Sequence, residues 1–151
     1  MKQLFDELSY QISKATTEKY STSFSLGIMA LRPLIRPSIY AVYGFVRLAD
    51  EIVDSFHGYD KKELLSRFSA QTWQAIDEKI SLNPILQSFQ ETVNRYKIDH
   101  ALIRQFMHSM EMDLQQLSYD SDLYKEYILG SAEVVGLMCL QIFVNGNKEQ
   151  Y

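Results

Sequence analysis

Helical periodicity constrains this chain more than any other feature. Apolar residues return every three or four positions along nearly all of its 151 residues, without the sustained alternation of a half-buried strand. Only six glycines and three prolines punctuate it. The expected fold is therefore all-α, with about six helices. At 46% hydrophobic residues, a chain of this length can bury a sizeable core, and residues 1–151 read as a single helical domain.

The apolar stripes place the helices. Leu4, Leu8, Ile12 and Ala15 share one face and predict a first helix packed through it. The run Tyr20-Ser21-Thr22-Ser23-Phe24-Ser25 predicts a break. Pro33 and Pro37 bracket a connector, with Pro37 in the first turn of a second helix over 38–55. That helix is apolar almost all round until Arg47, which suits a central buried element, and it should end near His57-Gly58. Asp60 with Glu63 has the spacing of a capping box for a third helix, striped by Leu64, Leu65, Phe68, Thr72, Ile76 and Ile80. Asn83-Pro84 opens a fourth, marked by Ile85, Phe89, Val93 and Tyr96. Asp99 can cap a fifth, with Leu102, Ile103, Phe106, Met110 and Leu117 facing inward. A last helix is expected over 122–144, with Asn145-Gly146 as its C-cap.

Composition excludes several function classes. With 15 Lys+Arg against 19 Asp+Glu the formal charge is -4, so no global basic field exists to hold nucleic acid. Asp6 and Glu7 interrupt what would have to be the apolar core of a secretory signal. The most apolar runs, 39–46 and 134–144, fall short of the roughly 20 residues of a membrane-spanning helix. A cytoplasmic protein with at most peripheral membrane contact is expected. Cys139 alone cannot form an internal disulfide and reads as a small buried apolar residue. His57, His100 and His108 lack zinc-site spacing and read as surface or capping residues. Met107, Met110 and Met112 read as core filler in preference to tunnel lining.

One segment, residues 43–54, carries chemistry. On a helix, Tyr43, Arg47, Asp50 and Asp54 stack one above another. Asp50, Glu51 and Asp54 crowd the C-terminal end of that helix, where the macrodipole already places negative charge, so a compensating cation is expected. Two carboxylates one turn apart suit a magnesium ion that shares its other positions with substrate phosphates. Arg47 can pair with phosphate oxygens through its planar fork. Spacing alone leaves another reading open: a solvated helix end with Arg47 in an i, i+3 salt bridge. Ser21, Ser23 and Ser25 are likewise open between helix capping and phosphate contact.

The words Tyr20-Ser21-Thr22-Ser23-Phe24-Ser25 and Tyr40-Ala41-Val42-Tyr43-Gly44-Phe45-Val46-Arg47-Leu48-Ala49-Asp50-Glu51-Ile52-Val53-Asp54 resemble the opening signatures of the squalene/phytoene synthase family. Met112-Asp113-Leu114 and the block from Tyr127 to Met138 resemble two later ones, in the same order. This resemblance implies an isoprenoid-synthase-type helical bundle, of which the chain would be the N-terminal part. It also implies head-to-head joining of two prenyl diphosphates through a cyclopropylcarbinyl diphosphate. Geranylgeranyl diphosphate would give phytoene, and farnesyl diphosphate squalene or dehydrosqualene. Carried over, Asp50 and Asp54 would bind Mg2+, or Mn2+ in its place. Arg47 would hold diphosphate, with Ser21, Phe24 and Tyr43 in the same pocket. Asp113 and Tyr127 would lie near the reacting carbons or the second substrate, completing a catalytic set with Tyr43 and Arg47. NADPH would be needed only for squalene.

Two departures temper these expectations. Glu133 stands where many family members carry glycine. The family's second aspartate-rich motif follows the Gly136-Leu137-Met138 block, and no such segment occurs in this sequence. Weak metal binding and inactivity of the isolated chain are therefore expected. So is self-association, or recruitment of a second chain, through the apolar faces of 38–55 and 122–144. A non-catalytic helical module that binds a prenyl diphosphate or a protein partner is the alternative.

Overall fold

The computed structural model describes the backbone of residues 1–115 and 121–149, and the side chains of 1–115 and 131–145. Seven helices and no strand are found among the described residues: α1 (Lys2–Tyr20), α2 (Thr22–Met29), α3 (Arg36–Asp54), α4 (Lys61–Glu78), α5 (Pro84–Tyr96), α6 (His100–Leu114) and α7 (Ser121–Glu149). The fold is all-α, as the periodicity requires. The seventh helix arises within the Ser/Thr-rich run, where the break is confined to Ser21. The Ser21 hydroxyl oxygen accepts from the Phe24 N–H at 3.1 Å and caps α2.

The caps foreseen from sequence form. The carboxylate of Asp60 accepts from Glu63 N–H at 3.1 Å, the Asn83 side chain from Ile85 and Leu86 N–H, and Asp99 from Ala101 N–H at 2.9 Å. Pro37 occupies the first turn of α3. That helix stops at Asp54, and the chain turns at Gly58, whose φ of 87° lies in the region that favours glycine.

Helix α3 is in contact with all six other helices. Phe45 sits at its centre, fully buried. Its ring stacks on Phe89 of α5 at 3.8 Å between centroids and on Phe68 of α4 at 5.4 Å, and tilts against Phe106 of α6 at 5.5 Å. A single continuous apolar cluster extends from this point to Val134, Met138 and Ile142 of α7.

Several expectations are corrected. Helix α1 does not pack through Leu4, Leu8 and Ala15: Leu4 is 61% exposed, Leu8 50%, and Ala15 faces solvent. Its buried face is Ser9, Ser13 and Thr17. Small hydroxyl residues win because α1 approaches α3 and α5 too closely for larger side chains. A Cβ on Gly44 would lie 3.0 Å from the Ser13 hydroxyl. The hydroxyls are satisfied locally, Ser9 donating to the Phe5 carbonyl at 2.8 Å and Thr17 to the Ser13 carbonyl at 2.9 Å, while Ser13 and Ser88 share a bond of 2.7 Å.

Ile80 lies beyond the end of α4 and is 40% exposed, because Lys79 turns the chain left-handed at φ 60°. Asn145-Gly146 does not end the last helix. Helix α7 runs through it to Glu149, and the Asn145 amide donates to the Tyr96 carbonyl at the end of α5. The helix expected over 38–55, which is α3, has no exposed apolar side chain, since its neighbours surround it. On α7, by contrast, Leu137, Leu140 and Val144 are exposed. Leu117 lies outside the described residues.

Gly44→Val should lower stability by about 2 kcal/mol, because the added Cβ would lie 3.0 Å from the Ser13 hydroxyl and 3.3 Å from Ile85, with two further methyls to place in the same close contact. Urea unfolding followed by circular dichroism measures it.

Candidate functional site

The polar column of α3 opens onto a pocket of about 430 Å³ lying between α2, α3, α6 and α7. Val42, Tyr43, Val46, Asp50 and Asp54 line it from α3, Phe106, Met110 and Asp113 from α6, Phe24 from α2, and Ser131, Ala132, Val135 and Cys139 from α7. Most of this wall is apolar, and the three carboxylates punctuate it. The Tyr43 ring stacks on Phe24, centroids 4.7 Å apart, so α2 and α3 together form one side.

Burial is the main reason that the Asp50 carboxyl is pushed up to about 6. The neighbouring charges of Asp54, Asp113 and Glu51 add to that rise, and Arg47 opposes it. Asp113 is raised as well, by burial first and then by Asp54, while Lys61 pulls it back. Carboxylates from two facing helices thus act on one another across the pocket.

Of the residues expected at the site, the structure brings Phe24, Tyr43, Asp50, Asp54 and Asp113 to the pocket. Ser21 caps α2 and does not line it. Arg47 is on the correct helix but turns aside. Its guanidinium donates to the Glu51 carboxylate, one turn on, and lies over the Tyr20 ring at 4.4 Å. The salt bridge is therefore i, i+4 to Glu51 and not i, i+3 to Asp50, and it holds the Glu51 carboxyl below its ordinary value. The Arg47 Nε is buried without a hydrogen-bond partner. The Tyr127 side chain lies outside the described residues.

Lys61 brings one cation to the end of α3. Its ammonium donates to the Val53 carbonyl at 2.7 Å, occupying one of the helix's orphan carbonyls. Sequence reasoning named the need but not the residue, because Lys61 lies across a turn that no spacing rule fixes. Cys139 is half-buried in the pocket wall, and burial pushes its thiol up to about 11. Met107 and Met110 are both core, as expected, with Met110 also bordering the pocket, and Met112 is half-buried. His57, His100 and His108 are all exposed.

The Asp50 pKa in the fold lies above its ordinary 3.8, so the protonated carboxyl favours the folded state at low pH, and that advantage is lost as pH rises through 6. Asp50→Asn should therefore stabilise the metal-free protein at pH 8 by about 1 kcal/mol, a value discounted for the solvent that reaches the carboxyl. Little change is expected at pH 4. Urea midpoints at the two pH values measure the difference.

Residues 17–151 match the family model described as squalene/phytoene synthase. The chain is 28% identical over 132 residues to phytoene synthase 1, chloroplastic, of Arabidopsis thaliana, covering 82% of this chain and 30% of that protein. It is 27% identical over 136 residues to the phytoene synthase of Arthrospira platensis, covering 89% and 44%. A crystal structure of a dehydrosqualene synthase in complex with ligand shares the fold at a TM-score of 0.77 and 22% identity, over 91% of this chain and 48% of the other. A squalene synthase from Alicyclobacillus acidocaldarius does so at 0.77 and 23%, over 89% and 51%. The chain spans between 30% and 51% of the length of these relatives. With the family model covering most of the chain and the helical architecture shared with these structures, the chain belongs to the squalene/phytoene synthase family.

Proposed function

We propose that this chain carries part of a prenyltransferase site that joins two prenyl diphosphates head to head. One observation carries the reading: Asp50, Asp54 and Asp113 border an otherwise apolar, partly aromatic pocket. A molecule with an anionic head and a long hydrocarbon tail needs those two surroundings side by side. The curated relatives named phytoene synthase favour geranylgeranyl diphosphate as substrate, with farnesyl diphosphate the shorter option.

The donor set fits magnesium. It is all oxygen, its carboxylates oppose one another's ionisation, and among the described residues no three ligating side chains converge closely enough to hold an ion alone. Magnesium typically takes one or two carboxylates and completes its shell with water and substrate phosphates, so Asp50 and Asp54 would hold it. When bound, the metal neutralises the charge that develops on a departing diphosphate.

The chain's own residues supply the rest. Val42, Val46, Phe106, Met110 and Val135 exclude water from the allylic carbons, so the cation left by C–O cleavage meets the second substrate's double bond and not a solvent molecule. The Tyr43 and Phe24 faces offer negative quadrupole to that cation. Arg47, drawn from Glu51, can offer its fork to phosphate oxygens one turn before Asp50. Asp113 faces the same space from α6, where a second diphosphate would enter. Attack by the double bond followed by proton loss closes a cyclopropylcarbinyl diphosphate. A second ionisation, rearrangement and proton loss give a phytoene-type product, whereas a squalene-type product would need an external hydride donor such as NADPH in place of the proton loss.

Supplied with a C-terminal segment that bears an aspartate-rich helix, the chain incubated with Mg2+ and geranylgeranyl or farnesyl diphosphate, with and without NADPH, should yield one of these products by mass spectrometry; little should form without that segment, and Asp50→Ala should reduce the yield by about 100-fold or more. Magnesium-dependent binding of a thiodiphosphate analogue without turnover, measured by calorimetry, would instead favour a binding module. Absence of both product and binding would overturn the proposal.

A further inference from the structure

We infer that α2 and the connector that follows it form a docking surface for the anionic face of a lipid bilayer. Helix α2 has two opposed apolar faces. Phe24 and Ile28, one turn apart, point inward, Phe24 onto Tyr43 and Ile28 into the core at 2% exposure. Leu26 and Met29, three apart, share the outer face and are 67% and 50% exposed. Leu34 of the connector adds a third exposed apolar side chain.

Charge segregates around these residues. No Asp or Glu occurs between Lys19 and Asp50, an interval that holds Arg32, Arg36 and Arg47, although the whole chain has 19 acids. Arg36 holds the connector in place, donating through Nε to the Leu31 carbonyl and through Nη2 to the Met29 carbonyl, each at 2.8 Å. Next to it lies a cavity of about 290 Å³ lined by Tyr10, Lys14, Met29, Pro33, Arg36 and Tyr40. Lys14, which pairs with Glu18 at 4.0 Å, stands over the Tyr40 ring at 5.9 Å. The Tyr40 residue is 4% exposed, and its buried hydroxyl has no hydrogen-bond partner.

A cationic, tyrosine-lined notch beside exposed Leu and Met side chains matches a membrane interface. The cations meet lipid phosphates at headgroup depth while the apolar side chains enter the acyl boundary. The exposed leucines of α1 and α7 have acidic neighbours instead. Leu4 and Leu8 flank Asp6 and Glu7, and Leu137 and Leu140 follow Glu133. No described helix is long and apolar enough to cross a membrane, so the contact is lateral. Because Phe24 also lines the pocket, α2 would stand between pocket and bilayer, one helix away from any amphiphile dissolved there.

The test is flotation of the chain with phosphatidylcholine vesicles, with and without about one-third phosphatidylglycerol, at low and high salt. Binding to the anionic vesicles at low salt, weakened by salt and reduced about tenfold or more in Leu26→Asp/Met29→Asp, is the expected result. That variant should melt like the parent, since both side chains face water. Leu82→Asp, at a position 94% exposed on the α4–α5 connector, and Leu140→Asp should bind as the parent does. The inference is overturned by no flotation, by equal binding to neutral vesicles, or by equal loss in the Leu140 variant. It is also overturned if Leu26→Asp/Met29→Asp abolishes a concentration-dependent dimer while vesicles remain unbound, which would make a second copy the occupant. No prenyl diphosphate enters the assay, so its outcome is independent of the proposed reaction.

Discussion

The aromatic stack around Phe45 is the contact on which the rest depends. One ring, buried completely, touches Phe68, Phe89 and Phe106 and so joins α3 to α4, α5 and α6 at a single point. Gly44, its neighbour, lets α1 close against the other side of α3 with its hydroxyl residues against the glycine. With α3 held from both sides, the direction of its C-terminal turns is set. Asp50 follows Phe45 by little more than one turn and Asp54 by one more, so the carboxylates inherit their position from the core. Phe106 ties the same stack to the pocket wall, and Asp113 lies two turns further along α6.

The pocket works against the stability of the helix that builds it. Carboxylates gathered at a helix C-terminus repel one another and the macrodipole, and burial of Asp50 adds to the cost. The fold offsets part of this with Lys61 on the Val53 carbonyl and with the Arg47–Glu51 pair, which keeps one acid away from the cluster. What remains is a preformed demand for cationic charge, the condition in which a site built for metal and diphosphate would be expected to rest.

Much of this was legible in the sequence, and the parts that were not share a cause. Asp60, Asn83 and Asp99 identified their helix starts because a cap is a local hydrogen bond. Ile85, Phe89, Val93 and Tyr96 identified the inner face of α5 because size and hydropathy agree there. Helix α1 misled because hydropathy scores Ser9, Ser13 and Thr17 as outward residues. In a close helix contact their small volume matters more than polarity, once each hydroxyl has a bond. The run past Asn145-Gly146 followed from a tertiary bond to Tyr96, which no local signal encodes. At the site, the spacing of Asp50 and Asp54 suited a metal but left a solvated helix end open until the family resemblance was added, and Asp113 was flagged only by that resemblance. Lys61 and Cys139 reach the site through packing between helices distant in sequence.

Helix α2 is fastened quite differently from its neighbours. It buries a single residue, Ile28, along with the Phe24 contact to Tyr43, whereas α3 buries ten. Opening α2 would therefore expose little apolar surface and leave the aromatic stack intact, while opening α3 would require the whole molecule to unfold. Backbone amides of the two helices would then exchange with solvent by separate routes, one local and fast, the other global and slow. Of the helices that line the pocket, α2 is the one fastened by the fewest buried residues among those described.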